Sequence, residues 1–166
     1  DSIDFPDSLK YETLLKKRTV YGGGGIMPDV FVPIDTTGIN ELFRVMVRNG
    51  FFNNFSVGEV NNNRAYYKNK FSSFDNFRAN FYAYFDNELE SNFLEFIKKE
   101  KEDLEYTVED YAECRDLVAY RLKAAFASNL FGLSESYEVS NEYNQILKRA
   151  IEILQTKEYA KFGLSK

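Results

Sequence analysis

The segment TVEDYAECRDLVAYRLKAAFASNLFG, residues 107–132, decides the fold class. Thr107 and Asp110 form a variant of the capping box that opens a helix, and Gly132 is a residue type that closes one. Between these ends, apolar residues recur at helical spacing: Tyr111, Cys114, Val118, Leu122, Ala125 and Leu130. Such a stripe is the inward face of an amphipathic helix. We therefore predict that residues 107–132 form the longest helix of a bundle.

Helical patterns continue on both sides of this segment. Ser134 is predicted to start a last long helix, followed from Thr156 by a weak helical turn. The inward-facing residues of that helix are Val139, Tyr143, Ile146, Leu147, Ala150 and Leu154. Upstream, Asp86 is predicted to cap a helix, and Ser72 or Ser73 to start a shorter aromatic one. Their apolar faces are Leu89, Phe93, Phe96 and Ile97, and Phe74, Phe77 and Phe81, respectively.

The helical part of the chain is predicted to begin near residue 36. Thr36 or Thr37 would cap a helix that Asn49 and Gly50 close. Its inward face carries Ile39, Leu42, Phe43 and Met46. Residues 51–70 are also predicted to be largely helical. The fold class is therefore mainly α, a helical bundle preceded by a small β segment, with residues 36–166 as a C-terminal helical domain.

The first 35 residues show a different pattern. Residues 11–15, 19–21 and 29–32 are predicted to be three short strands, with Pro33 ending the extended region. Gly22, Gly23, Gly24 and Gly25 lie between the second and third, which is typical of a tight crossing where backbones approach closely. Three strands of this length cannot bury a core without more sheet. We therefore expect exposed apolar surface and unpaired strand edges in this region.

Composition excludes several kinds of site. The chain has 166 residues, 44% hydrophobic and 28% charged, with a net charge of −5. No apolar run reaches the roughly 18 to 20 residues of a membrane span. Histidine is absent and Cys114 is the single cysteine, so the chain alone holds no Ser–His or Cys–His pair, histidine zinc site or internal disulfide. The sequence begins with Asp1, which is expected of a processed product or an excised segment.

Acidic residues concentrate between positions 86 and 110, a segment with ten acidic residues and only three lysines. An acidic run on a helix is typical of a solvated face. A calcium loop would need acids spaced around a turn glycine, and that arrangement is missing.

Three other functional sites can be weighed against structural explanations. The glycine run is not a P-loop, because Ile26, Met27 and Pro28 follow it instead of Lys and Ser or Thr. Basic and aromatic residues interleave as in a nucleic-acid surface, but the helical spacing and a pI of about 4.9 favour core packing. The residues concerned are Arg64, Lys68, Lys70 and Arg78, and Tyr66, Tyr67, Phe71, Phe74, Phe77 and Tyr82.

A serine–lysine pair was the third possibility, with Ser128 or Ser134 and Lys123. The capping role explains Ser134, so no catalytic residue is assigned, and no cofactor or metal ligand is predicted. Cys114 lies on the inward stripe of its helix and is interpreted as a small buried hydrophobic residue.

The segment KRTVYGGGGIMPDV, residues 17–30, resembles the glycine-rich motif of the carboxyl-terminal processing (tail-specific) serine peptidases. Gly24, Gly25, Pro28 and Asp29 match that motif, in which their role would be structural, and Lys17 stands where the family has glycine. The match covers about 20 residues. The helical remainder, with its Asn129–Gly132 helix end, is similar in pattern to the C-terminal extension of bacterial members.

The resemblance implies that residues 1–35 are terminal strands of a peptidase core. The serine nucleophile and lysine base of the family precede the glycine motif, so they would lie before Asp1. The expected parent is a periplasmic or cell-envelope hydrolase acting on unfolded protein or peptide C-termini. This chain would be inactive alone and would serve in substrate positioning or assembly, with a homo-oligomer as one form. The alternative is a free-standing helical interaction module. Nucleic acid is not an expected partner.

Overall fold

The computed structural model of the chain describes residues 6–22 and 28–162. The fold is mainly α-helical, with one small antiparallel sheet near the N-terminus, which confirms the predicted fold class. The sheet pairs β1 (Lys10–Glu12) with β2 (Thr19–Tyr21), and Tyr11 lies opposite Val20.

The helices follow one another with short connections. Their bounds are α1 (Glu41–Arg48), α2 (Phe51–Asn62), α3 (Arg64–Lys70), α4 (Phe74–Tyr84), α5 (Glu90–Glu100), α6 (Val108–Leu130), α7 (Leu133–Asn141) and α8 (Gln145–Gln155). A π-helical turn, Phe85–Leu89, joins α4 to α5, and a 3-10 turn, Glu158–Phe162, follows α8. The predicted helical turn after Thr156 is thus present.

The capping pattern of the longest helix is confirmed. The Asp110 N–H donates to Thr107 Oγ1 at 3.1 Å, and the Thr107 N–H donates back to Asp110 Oδ2 at 2.9 Å. Ser73 likewise caps α4 by accepting from the Asn76 N–H. Gly50, with φ of +68°, and Gly132, with φ of +141°, stand at helix ends in backbone conformations that favour glycine.

Three predicted caps are wrong: those at Thr36 or Thr37, at Asp86 and at Ser134, which lies inside the first turn of a helix whose N-cap is Gly132. Asn40, not Thr36 or Thr37, caps α1, since its side chain accepts a hydrogen bond from the Phe43 N–H. The amide nitrogen of the same side chain also donates to the Asp110 carbonyl in the first turn of α6, at 2.6 Å, which holds Asn40 in place. Asp86 caps nothing. It lies inside the π-helical turn, whose first and last residues, Phe85 and Leu89, are fully buried. Because this turn joins α4 to α5 without a break, the three segments form one continuous helix.

The predicted last long helix is divided. α7 begins at Leu133, one residue before Ser134, and ends at Asn141. The Asn144 side chain then caps α8 by accepting from the Leu147 N–H. Asparagine side chains compete with the helical backbone for hydrogen bonds, and the sequence has two of them at this break.

The predicted strands are only partly present. Residues 19–21 form a strand as expected, whereas the first strand begins and ends earlier than residues 11–15. The predicted third strand is wrong, because residues 29–32 have no partner in the sheet. Pro28 and Pro33 bracket that segment, and proline cannot donate to a strand ladder.

The chain divides into two compact units by its internal contacts. One unit is the bundle Thr36–Tyr143, and the other combines residues 1–35 with residues 144–166. The bundle has an aromatic core, in which the Phe126 ring of α6 lies 5.4 Å from the Tyr67 ring and 5.8 Å from the Phe81 ring, between centroids. Burial of these large rings is the main stabilising contribution to the bundle.

Candidate functional site

The glycine motif lies in the terminal unit, and its described residues before Gly23 belong to the hairpin of β1 and β2. The Gly22 N–H donates to the Leu9 carbonyl at 2.8 Å, and a Cβ on Gly22 would stand 2.8 Å from the Tyr11 ring. Gly23, Gly24 and Gly25 lie outside the described residues. Beyond them, the Asp29 carboxylate accepts a hydrogen bond from the Arg18 guanidinium. This ion pair connects the two ends of the motif.

Lys17 adopts an unusual backbone conformation just before that arginine. Its φ is +51°, in the left-handed region that costs a non-glycine residue roughly 1 kcal/mol or more. The loop between the two strands is closed by the Thr13 and Lys17 amides, which donate to the Arg18 and Thr13 carbonyls. The backbone here therefore suits glycine better than lysine.

The terminal unit lacks an apolar interior among its described residues. All of the buried hydrophobic side chains of the described chain lie between Leu42 and Val139, inside the bundle. In the terminal unit, by contrast, Leu14 and Leu15 are more than 90% exposed, and Phe31 and Ile34 are 81% exposed. The apolar side chains of α8 are also exposed: Ile146, Ile151 and Leu154. Each of these apolar side chains is therefore largely exposed to solvent.

The residues considered for a serine–lysine pair are not brought together. Ser128 and Ser134 are exposed, whereas Lys123 is only 2% exposed. Its ammonium donates to Glu142 Oε2 at 3.0 Å and lies 4.5 Å from the centre of the Tyr82 ring. Lys123 thus joins α6 to the end of α7 in a structural ion pair.

Most of the aromatic residues near the basic positions pack into or against the core, whereas Tyr66 is 45% exposed. Tyr67, Phe71 and Phe77 are buried, as the helical spacing predicted. Two of the basic residues bind carboxylates: Lys70 contacts Glu88 at 2.9 Å, and Arg78 contacts Glu142 at 3.3 Å and Glu138 at 3.6 Å.

Cys114 is fully buried, as predicted from its place on the inward stripe. Burial raises the pKa of its thiol to about 11. The thiol is therefore protonated at neutral pH and behaves as a small core residue.

Acidic residues in and just after the π-helical turn take part in two clusters of ion pairs that the sequence did not reveal. On one side, Arg115 donates to both oxygens of Glu90 at 2.6 and 2.7 Å and to Asp86 at 2.7 Å, and these hydrogen bonds raise its pKa. On the other side, Glu88 accepts from Lys70 and Tyr66, each at 2.9 Å, and these hydrogen bonds lower its pKa. The partners are 18 to 29 residues apart, so helical spacing could not have paired them.

A buried tyrosine pair lies beside this turn. The Tyr67 and Tyr84 hydroxyls are 2.8 Å apart, and the Tyr67 hydroxyl donates to Glu59 Oε2 at 3.0 Å. Burial raises the pKa of Tyr84 to about 12 and that of Tyr67 further. Both hydroxyls therefore stay protonated, and that of Tyr67 holds the Glu59 carboxylate in place.

Glu59 opens onto a groove of about 470 Å³ that runs between α2 and α5. Ring contacts of Phe51 with Phe96 and of Phe55 with Phe93 join the two helices. Asparagine amides and aromatic rings both line this groove. Among the described residues, we find no cluster of three or more potential metal ligands. Nor does any described helix combine the length and hydropathy needed to cross a bilayer.

The fold defines the central unit as an aromatic-core helical bundle. The chain belongs to DUF8443, a family of unknown function, whose pattern matches residues 42–132, more than half of the sequence and entirely inside the bundle. Neither the curated proteins nor the solved structures contain a match to the chain.

Proposed function

We propose that this chain is the non-catalytic C-terminal region of a serine endopeptidase that processes protein C-termini. Residues 1–35 would complete the peptidase core, and the bundle would position substrate or mediate assembly. The parent enzyme would act on unfolded C-termini in the periplasm or cell envelope of a bacterium, with its serine and lysine outside this chain.

The geometry of the glycine motif carries the proposal. Lys17 has a left-handed backbone at the position where the peptidase motif has glycine. Arg18 and Asp29, which flank the glycine run, form an ion pair. These features support a structural role for the motif.

The exposed apolar surface of the terminal unit supports the same proposal. A two-stranded hairpin is marginally stable alone, and contiguous exposed apolar residues usually mark a surface that another element covers. Leu14, Leu15, Phe31 and Ile34 would be covered by the remaining strands of the peptidase core. The chain by itself is therefore expected to self-associate through this unit, and Leu14→Asp with Leu15→Asp should reduce the association measured by analytical ultracentrifugation.

The decisive experiment uses the gene and the parent enzyme. The reading frame upstream of Asp1 should encode a strand-rich domain with a serine followed by a lysine. In that enzyme, Arg18→Ala and Asp29→Ala should each lower the thermal stability of the peptidase core and its cleavage of an unfolded peptide. Arg121→Ala, which removes an exposed arginine from α6, is the matched control. An upstream start codon immediately before Asp1 would refute the proposal.

A second test uses the chain alone. Incubated with an unfolded casein substrate and a fluorophosphonate probe, it should show neither cleavage nor labelling. Cleavage together with labelling would place a serine nucleophile inside this chain and contradict the proposed division of roles.

A free-standing helical interaction module is the second candidate. It is favoured by the closed core of the bundle and by the family match, which lies wholly within residues 36–143. The upstream reading frame separates the two proposals, since the module requires no peptidase domain there.

A further inference from the structure

Helix α8 has an apolar stripe that the described chain does not bury. Each helix from α1 to α7 has at least one buried residue, whereas α8 has none in the described structure. At about 100° per residue, its apolar side chains fall on one half of the helix surface. They are Ile146, Leu147, Ala150, Ile151, Ile153 and Leu154. Ile146 is 60% exposed and Leu154 is 66% exposed, so the stripe faces solvent.

The segment that contains α8 is basic, although the chain as a whole is acidic. Residues 144–166 carry five lysine and arginine residues and two glutamates, a net charge of +3. The rest of the chain carries 16 basic and 24 acidic residues, a net charge of −8. Charge asymmetry of this kind indicates an anionic partner, either a membrane surface or nucleic acid.

The cations of this segment are placed to bind anions beside the stripe. Lys148 and Arg149 flank the stripe on its opposite edges. Arg149 binds Glu152 at 2.9 Å and Glu158 at 2.8 Å. Lys148 and Lys157 are exposed and take part in no ion pair of the described chain. A lysine stem can lie along apolar surface while its ammonium stays in a polar layer, which suits an interface between the two.

A lipid surface fits this helix better than a second copy or a nucleic acid. Two copies of α8 would bring two positive segments together, so charge opposes their pairing. The helix is also only about 16 Å long, and one face of it is far smaller than the roughly 800 Å² per partner of a stable protein interface. Nucleic acid offers phosphates to the lysines but no acyl layer for six aliphatic side chains. A bilayer surface offers both.

We propose that α8 binds the surface of an anionic lipid bilayer and lies in the plane of the interface. The apolar stripe would enter the boundary between headgroups and acyl chains, and Lys148 and Lys157 would bind lipid phosphates. The inference does not depend on the proposed peptidase parent, because it uses only residues 144–166.

The test measures co-sedimentation of the full chain with vesicles. Vesicles with equal parts of phosphatidylglycerol and phosphatidylcholine should bind the chain roughly tenfold more tightly than vesicles of phosphatidylcholine alone, and added salt should reduce this difference. The net charge of the whole chain, −5, would give the opposite preference if α8 did not act locally. Equal binding to the two kinds of vesicle, or binding to neither, would overturn the proposal.

A first pair of substitutions tests the stripe. Ile146→Gln with Leu154→Gln should weaken vesicle binding by roughly tenfold or more, because two aliphatic side chains no longer enter the lipid. The melting temperature should stay the same, since both side chains are exposed and glutamine favours a helix. Leu133→Gln is the matched control, because Leu133 is 63% exposed on α7 of the bundle. An equal loss in this control, or unchanged binding in the double variant, contradicts the assignment.

A second pair tests the charges. Lys148→Gln with Lys157→Gln should also weaken binding by roughly tenfold or more, since each cation near an anionic surface contributes about fivefold. Lys68→Gln with Lys98→Gln makes the same change in net charge at exposed positions of the bundle and should leave binding unchanged. If the two double variants lose binding equally, the net charge of the chain rather than α8 is responsible and the proposal is wrong.

Two further outcomes would give the stripe or the binding to another element. Binding should persist in the Leu14→Asp, Leu15→Asp variant, and its loss there would assign the lipid surface to the hairpin of β1 and β2. If the Ile146→Gln, Leu154→Gln variant keeps vesicle binding but loses a dimer seen by analytical ultracentrifugation, a second copy covers the stripe and the proposal fails.

Discussion

Removing the carboxylate of Glu142 should destabilise the bundle more than removing its partner Lys123. The Lys123 side chain is 3% exposed, whereas that of Glu142 is 26% exposed. In Glu142→Ala the ammonium stays buried with only the Tyr82 ring, 4.5 Å away, as a favourable contact. In Lys123→Met the carboxylate keeps Arg78 at 3.3 Å and retains access to water.

The magnitudes follow from the cost of an unpaired buried charge. Breaking a buried pair costs about 3 to 5 kcal/mol, and we reduce this to about 2.5 kcal/mol for Glu142→Ala because the tyrosine ring and solvent near Glu142 compensate in part. Lys123→Met should cost about 0.5 kcal/mol, because methionine fills a similar volume. The double variant should therefore be about 1 to 2 kcal/mol more stable than Glu142→Ala alone.

Urea unfolding followed by circular dichroism at 222 nm gives the four free energies of unfolding in this cycle. Equal m-values across the variants would show that only native-state stability has changed. If both single variants lose similar amounts and their effects add in the double variant, the buried ammonium is not the source of the cost and the reasoning is refuted.

Three further predictions concern single residues. Thr107→Ala should cost about 1 kcal/mol in urea unfolding because it removes the cap of α6, whereas Thr107→Ser should be nearly neutral; equal losses would exclude capping. Cys114 should react with Ellman's reagent at pH 8 only as the chain unfolds, since burial raises its pKa to about 11; rapid labelling of the native chain would contradict this. The pKa of Tyr84 is raised to about 12 in the folded chain, against 10 in the unfolded chain. The stability that this difference contributes is fully present below pH 10 and is lost as the pH rises towards 12. Tyr84→Phe should flatten that alkaline decline, and an unchanged pH profile would refute the assignment.

Local signals in the sequence were sufficient for some elements. The capping box of Thr107 and Asp110, the cap at Ser73 and the strand Thr19–Tyr21 are formed by residues close in sequence. The buried positions of Cys114, Phe77 and Phe81 follow from helical spacing in the same way. In the helical cases the interacting groups are three or four residues apart or share one helix face, and the strand pairs with a neighbouring one, Val20 lying opposite Tyr11.

Predictions failed where distant residues determine the local structure. Asp86 has the residue type of a helix cap, but it binds Arg115 instead, 29 residues away. Asn40 replaced the predicted threonine caps because its amide also reaches the Asp110 carbonyl, 70 residues away. The groove of α2 and α5 was missed because its two walls come from separate helices.

The sequence by itself determined that the chain is mainly helical, where its longest helix begins, and which faces are apolar, because these depend on spacing and caps within a few residues. Tertiary structure alone decided the continuity of the helical rod through the π-turn, the partner of each buried charge and the meeting of asparagines across the groove. Those outcomes depend on which side chains the packed aromatic core brings together, and no local pattern encodes that.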